Sequence, residues 1–453
     1  MVIVAQAHRV DHVPRHALQE YIERLAQSLE RFAGDEFRRL LRRGQPIVFL
    51  YIPALPTEVG RRAKSTSCEV PVATTSVRSN PSEVAEIRPM TGVRGIAAIA
   101  VVAYHFFNTP QHGYLAVDLF FMLSGLVLAL NYASTVTLSA GNRTYITFIK
   151  KRIARVFPLY ITVTVLRAIY DLTIHFGHGA ALPDTWEPKA ILANLFLVQA
   201  WGFSGSFVGP AWSLSTELAA YVLFPVLIAL TIESRRSLAW GAVLLSGALL
   251  FAAAYGNRDC TDCDGVLDIF HGYTPYPVMR CVAGFTLGLI GYRLVNLPRI
   301  RAIVSTNLFA VLSVLGVVAT YYAGSPDLVV YVFLFPTVIA CFGNSKAANL
   351  MFGNRVVFFL GKISFSIYLV HVLFKPIVRF VIAQDNAHFG RFAELISVMF
   401  AFGAVFAAST VFYHFVEVGG RRFMMGLMSP KRRFVAKPPV APIAASVDEV
   451  DPA

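Results

Sequence analysis

Charged residues are scarce in this chain. Only 15% of its 453 residues are Asp, Glu, Lys or Arg, 56% are hydrophobic, and the mean hydropathy is +0.58. A soluble fold of this length carries a larger charged surface, so the composition excludes the ordinary globular classes and leaves a chain that crosses a bilayer many times. Cysteine is scarce too: Cys68, Cys260, Cys263, Cys281 and Cys341 are scattered and odd in number, which excludes a disulfide-built scaffold. Only Cys260 and Cys263 of "CTDC" are close. Further ligands for a zinc ion are missing around them and a bridge across two residues is expected to be strained, so the pair reads as incidental and no metal is expected. No cleavable apolar stretch follows a short basic start, and no internal repeat of the transporter kind is visible.

What is present is positive charge in a particular place. The formal charge of +13 does not mark a nucleic-acid binder, because Lys and Arg fall in short blocks between apolar segments. These segments run from residue 94 onward, roughly 94–109, 114–132, 156–175, 189–201, 212–232, 238–255, 277–295, 303–323, 327–343, 363–383 and 392–416. Most are near the ~20 residues a helix needs to cross about 30 Å of hydrocarbon, but 189–201 is too short. Counting that piece as re-entrant or interfacial puts Arg143, Lys150, Arg235, Arg293, Lys346, Arg355 and Arg421 on one side. The expected fold is therefore all-α: a polytopic bundle of about ten transmembrane helices in the inner (plasma) membrane, with both termini cytoplasmic.

Residues 1–89 differ from the rest. Leu18, Ile22, Leu25, Leu29 and Phe32 recur at spacings of four and three, one face of an amphipathic helix, and residues 56–89 read as a polar linker. Met90 heads "MTGVRG", so either the extension is real or translation starts at Met90. The expected membrane domain is 90–420, and the Pro-rich, charged 421–453 reads as a disordered cytoplasmic tail.

An ionisable group inside a bilayer is costly unless paired or hydrated, so each one is a functional candidate. Arg94 and His105 differ by eleven positions. At about 100° per residue they project from one face, about 16 Å apart along the axis. A cation at the inner mouth suits the phosphates of a cytosolic donor and a deeper imidazole suits a general base; the plainer reading is a topology anchor and a hydrogen-bonded interior residue. Asp118 either orients a catalytic imidazole or pairs with an interior Arg. Glu217 binds the hydroxyls of a ligand, tunes His105 or is structural. Trp212 stacks on a ligand ring or belongs to an interfacial belt. Ser124 and Gly125 let helices approach closely, with Ser124 satisfied by a backbone carbonyl. His371 is a second pocket residue or a helix-to-helix hydrogen bond. Lys375 and Arg379, one turn apart, either suit an anionic glycan or lipid pyrophosphate or snorkel to headgroups.

The order of these motifs carries a resemblance. An Arg, ten residues and a His on the first helix are followed by "VDLFF" leading into "SGL", Arg152-Ile-Ala-Arg155 ahead of the third helix, "WSLS" shortly before Glu217, and "ISFSIYLVH" ending at His371. Together they resemble acyltransferase family 3, integral membrane O-acyltransferases that modify carbohydrates, from residue 90 to about 420. The extension of 89 residues departs from the family pattern, as does "STE" at 215–217 where relatives often have "SVE".

The resemblance implies that an acyl group, acetyl in many relatives, moves from cytosolic acyl-CoA to a hydroxyl of a cell-surface or secreted glycan or a lipid-linked sugar. In it His105 is the general base or the acyl carrier, with Glu217 a further catalytic candidate. Arg94, helped by Arg152 and Arg155, contacts the donor; Asp118, Ser124, Trp212, Ser215 and His371 support the site or the acceptor. Acyl-CoA is a co-substrate, and no permanently bound cofactor is implied. A multi-span transporter or flippase is the competing reading of the same buried charges.

Overall fold

The computed structural model describes residues 86–270, 272–388 and 393–428, without the side chains of 382–396. The expected amphipathic helix over 18–32, nearly all of the linker and the tail beyond residue 428 lie outside the described residues. The described residues are helical, with no strand among them.

Helix α1 (Arg88–Phe107) starts on Pro89, whose fixed φ suits a first turn, and stops where Asn108 turns left-handed at φ 54° and donates its N–H to the Tyr104 carbonyl. It opens six residues before the apolar run does, so Arg94 stands in its second turn and His105 in its last. A short 3₁₀ turn (Gly113–Leu115) leads into α2 (Ala116–Tyr132). Helix α3 (Asn142–His178) has 37 residues, about 55 Å, well beyond the hydrocarbon thickness. Arg152 and Arg155 therefore lie within this helix, not ahead of it. The doubtful segment becomes α4 (Pro188–Leu195), eight residues that cannot cross. Next come α5 (Trp212–Thr231), α6 (Arg236–Gly256) and α7 (Tyr276–Val295).

Two spans are broken. Helix α8 (Pro298–Val304) meets α9 (Asn307–Tyr322) at 69°, with the Thr306 hydroxyl capping Phe309 N–H; α10 (Asp327–Gly343) meets α11 (Lys346–Phe352) at 107°, through left-handed Asn344 and the Ser345 cap. After α12 (Arg355–Lys362) follow α13 (Ser364–His388) and α14 (Ala393–Phe412), then a π-helical turn at Tyr413–Val418 and α15 (Gly419–Met428). Among the described residues eight helices are long and apolar enough to span a membrane, and up to ten spans result when each bent pair counts as one. Residues 421–428, expected in a disordered tail, continue as helix, because "RRFMMGLM" still places its apolar side chains on one face.

Helices α2 and α7 form the centre, and small residues decide how close they come. A Cβ on Gly125 would lie 2.1 Å from the Phe285 carbonyl, and one on Gly288 2.1 Å from that of Met122. The contact is backbone to backbone, the geometry small residues allow where lipid removes the hydrophobic drive between helices. Across it, Arg280 of α7 grips Asp118 of α2, with Nε at 2.9 Å and Nη2 at 2.5 Å, and donates to the Tyr114 carbonyl at 2.9 Å. Both side chains are 0% exposed. Helix α1 lies against α2, α12 and α13, while α6 turns Leu238, Leu244, Leu245 and Phe251 outward, as a lipid-facing helix does.

Candidate active site

Two cavities open at opposite ends of the same helices. The larger, about 1150 Å³, is lined by His105, His371, Trp212 and Lys375 and by Asp262 and Asp268 of the loop between α6 and α7. The smaller, about 740 Å³, is lined by Arg94, Arg155, Lys362, Glu417, Arg421 and Arg422. Helices α1, α2 and α3 each serve both, α3 giving Arg155 to one and Arg167 to the other, so one mouth carries the histidines and the other the arginines.

At the histidine mouth the last turn of α1 meets the middle of α13. His105 Nδ1 lies 2.7 Å from His371 Nε2, with the rings near parallel, 12° apart. His371 Nδ1 lies 3.1 Å from the Ile367 carbonyl, an acceptor only, so this nitrogen carries the proton. With both rings neutral, His371 Nε2 accepts from His105 Nδ1–H. The remaining nitrogen, His105 Nε2, keeps its lone pair, and it has no hydrogen-bond partner among the described residues. The chain from carbonyl to His371 to His105 fixes the tautomer a general base requires. Both sequence readings of His371 are met at once, a pocket residue and a helix-to-helix hydrogen bond.

The loop wall is held in place by several bonds. The Tyr104 hydroxyl lies 2.7 Å from Asp264 and 3.0 Å from Asp268, and Asp327 accepts from Leu267 N–H at 2.7 Å and from the Tyr114 hydroxyl at 2.5 Å. Burial raises the Asp268 carboxyl above its ordinary value of 3.8, against the opposing pull of the Asp264 N–H, Arg280 and the Tyr104 hydroxyl. Cys260 and Cys263, expected to be incidental, form a disulfide in this loop. The turn brings their Cα atoms to 5.6 Å, a separation a disulfide spans, which spacing in sequence did not reveal.

Several expected site residues sit elsewhere. Glu217 does not line the histidine cavity. It accepts a hydrogen bond from Ser124, so the Ser124 hydroxyl is satisfied by a side chain and not by the backbone carbonyl expected, and it shares its electrostatic surroundings with Arg94 and Tyr221. Asp118 serves Arg280 and not an imidazole. Ser215 is buried and accepts the Ala200 N–H, while Trp201 donates to its carbonyl, so it ties the 196–211 segment to α5. Arg152 reaches the Tyr132 hydroxyl at 3.4 Å and lies over its ring; Arg155 alone of the Arg-x-x-Arg pair lines the arginine cavity. Trp212 lines the histidine cavity, but its ring faces the Arg280 guanidinium at 5.3 Å.

Sequence reasoning missed Glu417, which the π turn swings onto Ser366 at 2.8 Å beside Arg94 and Arg155. The last apolar segment ended one residue before it, and a helix of regular period gives no sign of a π turn. It also missed Tyr104 and the acidic loop, whose meeting is tertiary. Among the described residues no group of His, Cys, Asp or Glu is placed to hold a metal.

A lipid-embedded helix bundle with an imidazole pair at one mouth and guanidinium groups at the other defines a membrane enzyme suited to group transfer. The family model described as "Acyltransferase domain", that of acyltransferase family 3, matches residues 89–414, and the chain belongs to that family. It is an acyltransferase, a transferase of acyl groups carried on several membrane-spanning helices. The chain is 28% identical over 325 residues to "Acyltransferase MdmB" of Streptomyces mycarofaciens, covering 65% of this chain and 80% of that one. It is 35% identical over 152 residues to "Protein 2 in picA locus" of Rhizobium radiobacter, covering 30% of this chain and 78% of that one. It is 29% identical over 150 residues to "Peptidoglycan O-acetyltransferase OatA" of Listeria monocytogenes, covering 30% of this chain and 23% of that protein. No solved structure matches.

Proposed function

We propose that the protein moves an acyl group, acetyl in the first instance, from cytosolic acyl-CoA to a hydroxyl of a cell-surface or secreted glycan on the far side of the membrane. The observation that carries this is the free His105 Nε2, fixed by His371, in a cavity opposite an arginine-lined one. The relatives named O-acetyltransferases support a hydroxyl acceptor. Orientation rests on two features. Lys362, Arg421 and Arg422 join Arg94 and Arg155 at the arginine mouth, as inside-positive charge does, and the Cys260–Cys263 disulfide belongs to the loop that walls the histidine mouth, where an oxidising compartment preserves it.

Arg94 and Arg155 hold donor phosphates at the inner mouth, where guanidinium forks suit phosphate oxygens, and the pantetheine arm carries the thioester inward. Phe120 and Tyr368 stand between the two mouths: Arg94 lies over the Phe120 ring at 5.8 Å, Phe120 packs on Tyr368 at 5.7 Å, and Tyr368 on His371 at 6.4 Å. His105 Nε2 takes the acceptor proton as the hydroxyl oxygen attacks the thioester carbonyl. The C–O bond forms, the C–S bond breaks, and the leaving sulfur receives that proton, giving the ester and free CoA. His371 accepts a hydrogen bond throughout and steadies the imidazolium formed midway.

The test is release of free CoA from acetyl-CoA by the purified protein, with and without a glycan acceptor. Acceptor-dependent release by the wild type and its loss in His105→Ala are expected. Unchanged turnover in that variant refutes the role of His105; solute uptake into vesicles without acyl-CoA, with no CoA released in the presence of acceptor, would favour the transporter reading.

A further inference from the structure

The histidine cavity has one wall that the transfer chemistry above does not use. Lys375 and Arg379 stand one turn apart on α13, and Arg167 of α3 faces the same cavity. Arg167 is compensated by Asp171, with Nε to Oδ1 at 2.8 Å. Lys375 and Arg379 have no hydrogen-bond or ion-pair partner among the described residues. Lys375 is half-buried, within the electrostatic reach of Arg379 and Arg167 on one side and of His105 and His371 on the other. Two like charges without a partner among the described residues, Lys375 half-buried and Arg379 exposed, repel one another, and a bound anion removes that cost. The carboxylates of the cavity do not do so: Asp268 is engaged by Tyr104 and the Asp264 N–H, and neither it nor Asp262 forms an ion pair with α13.

We propose that Lys375 and Arg379 form an anion subsite beside His105, and that the natural acceptor carries a phosphate or carboxylate next to the hydroxyl that is acylated. The acidic loop wall then faces sugar hydroxyls, which donate to carboxylates, while the basic wall of α13 holds the charged group. His105 stands between the two walls, so the anion fixes which hydroxyl meets Nε2. The inference rests on the acyl-transfer reading for the word acceptor, but the subsite itself is testable without any turnover.

The experiment is isothermal titration of the purified full chain in a neutral detergent, without acyl-CoA. Glucose 1-phosphate and methyl glucuronide are the probes for the phosphate and carboxylate sources, and methyl glucoside is the neutral control. The proteins compared are wild type, Lys375→Gln/Arg379→Gln and the charge-preserving Lys375→Arg/Arg379→Lys. At least one anionic probe is expected to bind wild type, more weakly as salt is raised, with the glutamine pair about tenfold weaker or worse and the charge-preserving pair close to wild type. The tighter of the two probes names the source. Binding at the arginine mouth is common to all three proteins and cancels in the comparison. Equal anion binding by wild type and the glutamine pair, or no anion preference over methyl glucoside, overturns the subsite and returns Lys375 and Arg379 to snorkelling toward headgroups. Neither of those results affects acetyl-CoA turnover, which fails or holds separately.

Discussion

Replacing His371 by Ala removes the acceptor at 2.7 Å from His105 Nδ1 and leaves the rest of α13 in place. During transfer His105 becomes an imidazolium and its bond to His371 becomes charge-assisted, a class worth about 1.5–3 kcal/mol. At about 1.4 kcal/mol per factor of ten, kcat is expected to fall roughly 10- to 150-fold. The KM for acetyl-CoA should stay near wild type, because His371 lines the cavity opposite the donor arginines. His371→Gln sets an amide oxygen near the position of Nε2 and should recover part of the loss, which a purely packing role would not produce. The assay is steady-state CoA release in detergent, with acetyl-CoA and acceptor varied separately. A His371→Ala enzyme whose kcat lies within twofold of wild type refutes the tautomer argument, and one that loses only donor KM moves His371 to the wrong cavity.

Asp118→Ala strands the Arg280 charge at a site with 0% exposure and is expected to lower stability by about 3–5 kcal/mol, measured as thermal unfolding in detergent; Asp118→Leu/Arg280→Leu should be more stable than either single variant. Gly288→Val sets a side chain against the Met122 carbonyl and the Leu126 amide, at 2.1 and 2.9 Å from its Cβ, so no rotamer relieves the clash and the yield of folded protein should collapse, while Gly403→Ala, with open space around it, should be neutral. Asp268 has a raised carboxyl in the folded state, so its proton binding favours folding at low pH and that contribution is lost as pH rises through the folded value. The unfolding temperature of Asp268→Asn, relative to wild type, should therefore rise from acid toward neutral pH; a difference independent of pH refutes the assignment.

The number of spans was readable because the bilayer imposes a length and because inside-positive charge blocks mark alternate ends. The pairing of Arg94 with His105 on one face was also readable, since helical arithmetic needs no tertiary knowledge. Helix ends were less legible. Polar first turns, such as Arg88–Arg94 and Asn142–Arg155, have no apolar signature, so both helices begin earlier than their hydrophobic runs. Glu217 was read from its nearness to "WSLS", but it stands one turn further along α5 than Ser213, beyond the reach of the histidine cavity, and it is Ser124 and the field of Arg94 that receive it.

By itself the sequence determined that this is a membrane bundle, where its spans run, and which few ionisable groups lie within them, because hydrocarbon tolerates so few that each stands out. Only the tertiary structure decided how those groups are shared out. Asp118 went to Arg280, Ser124 to Glu217, and His371, 266 positions away in the chain, to His105. Such pairings depend on how closely helices approach and how they are rotated about their axes. Backbone contacts as tight as Gly125 against Phe285 set both, and no local pattern encodes their outcome.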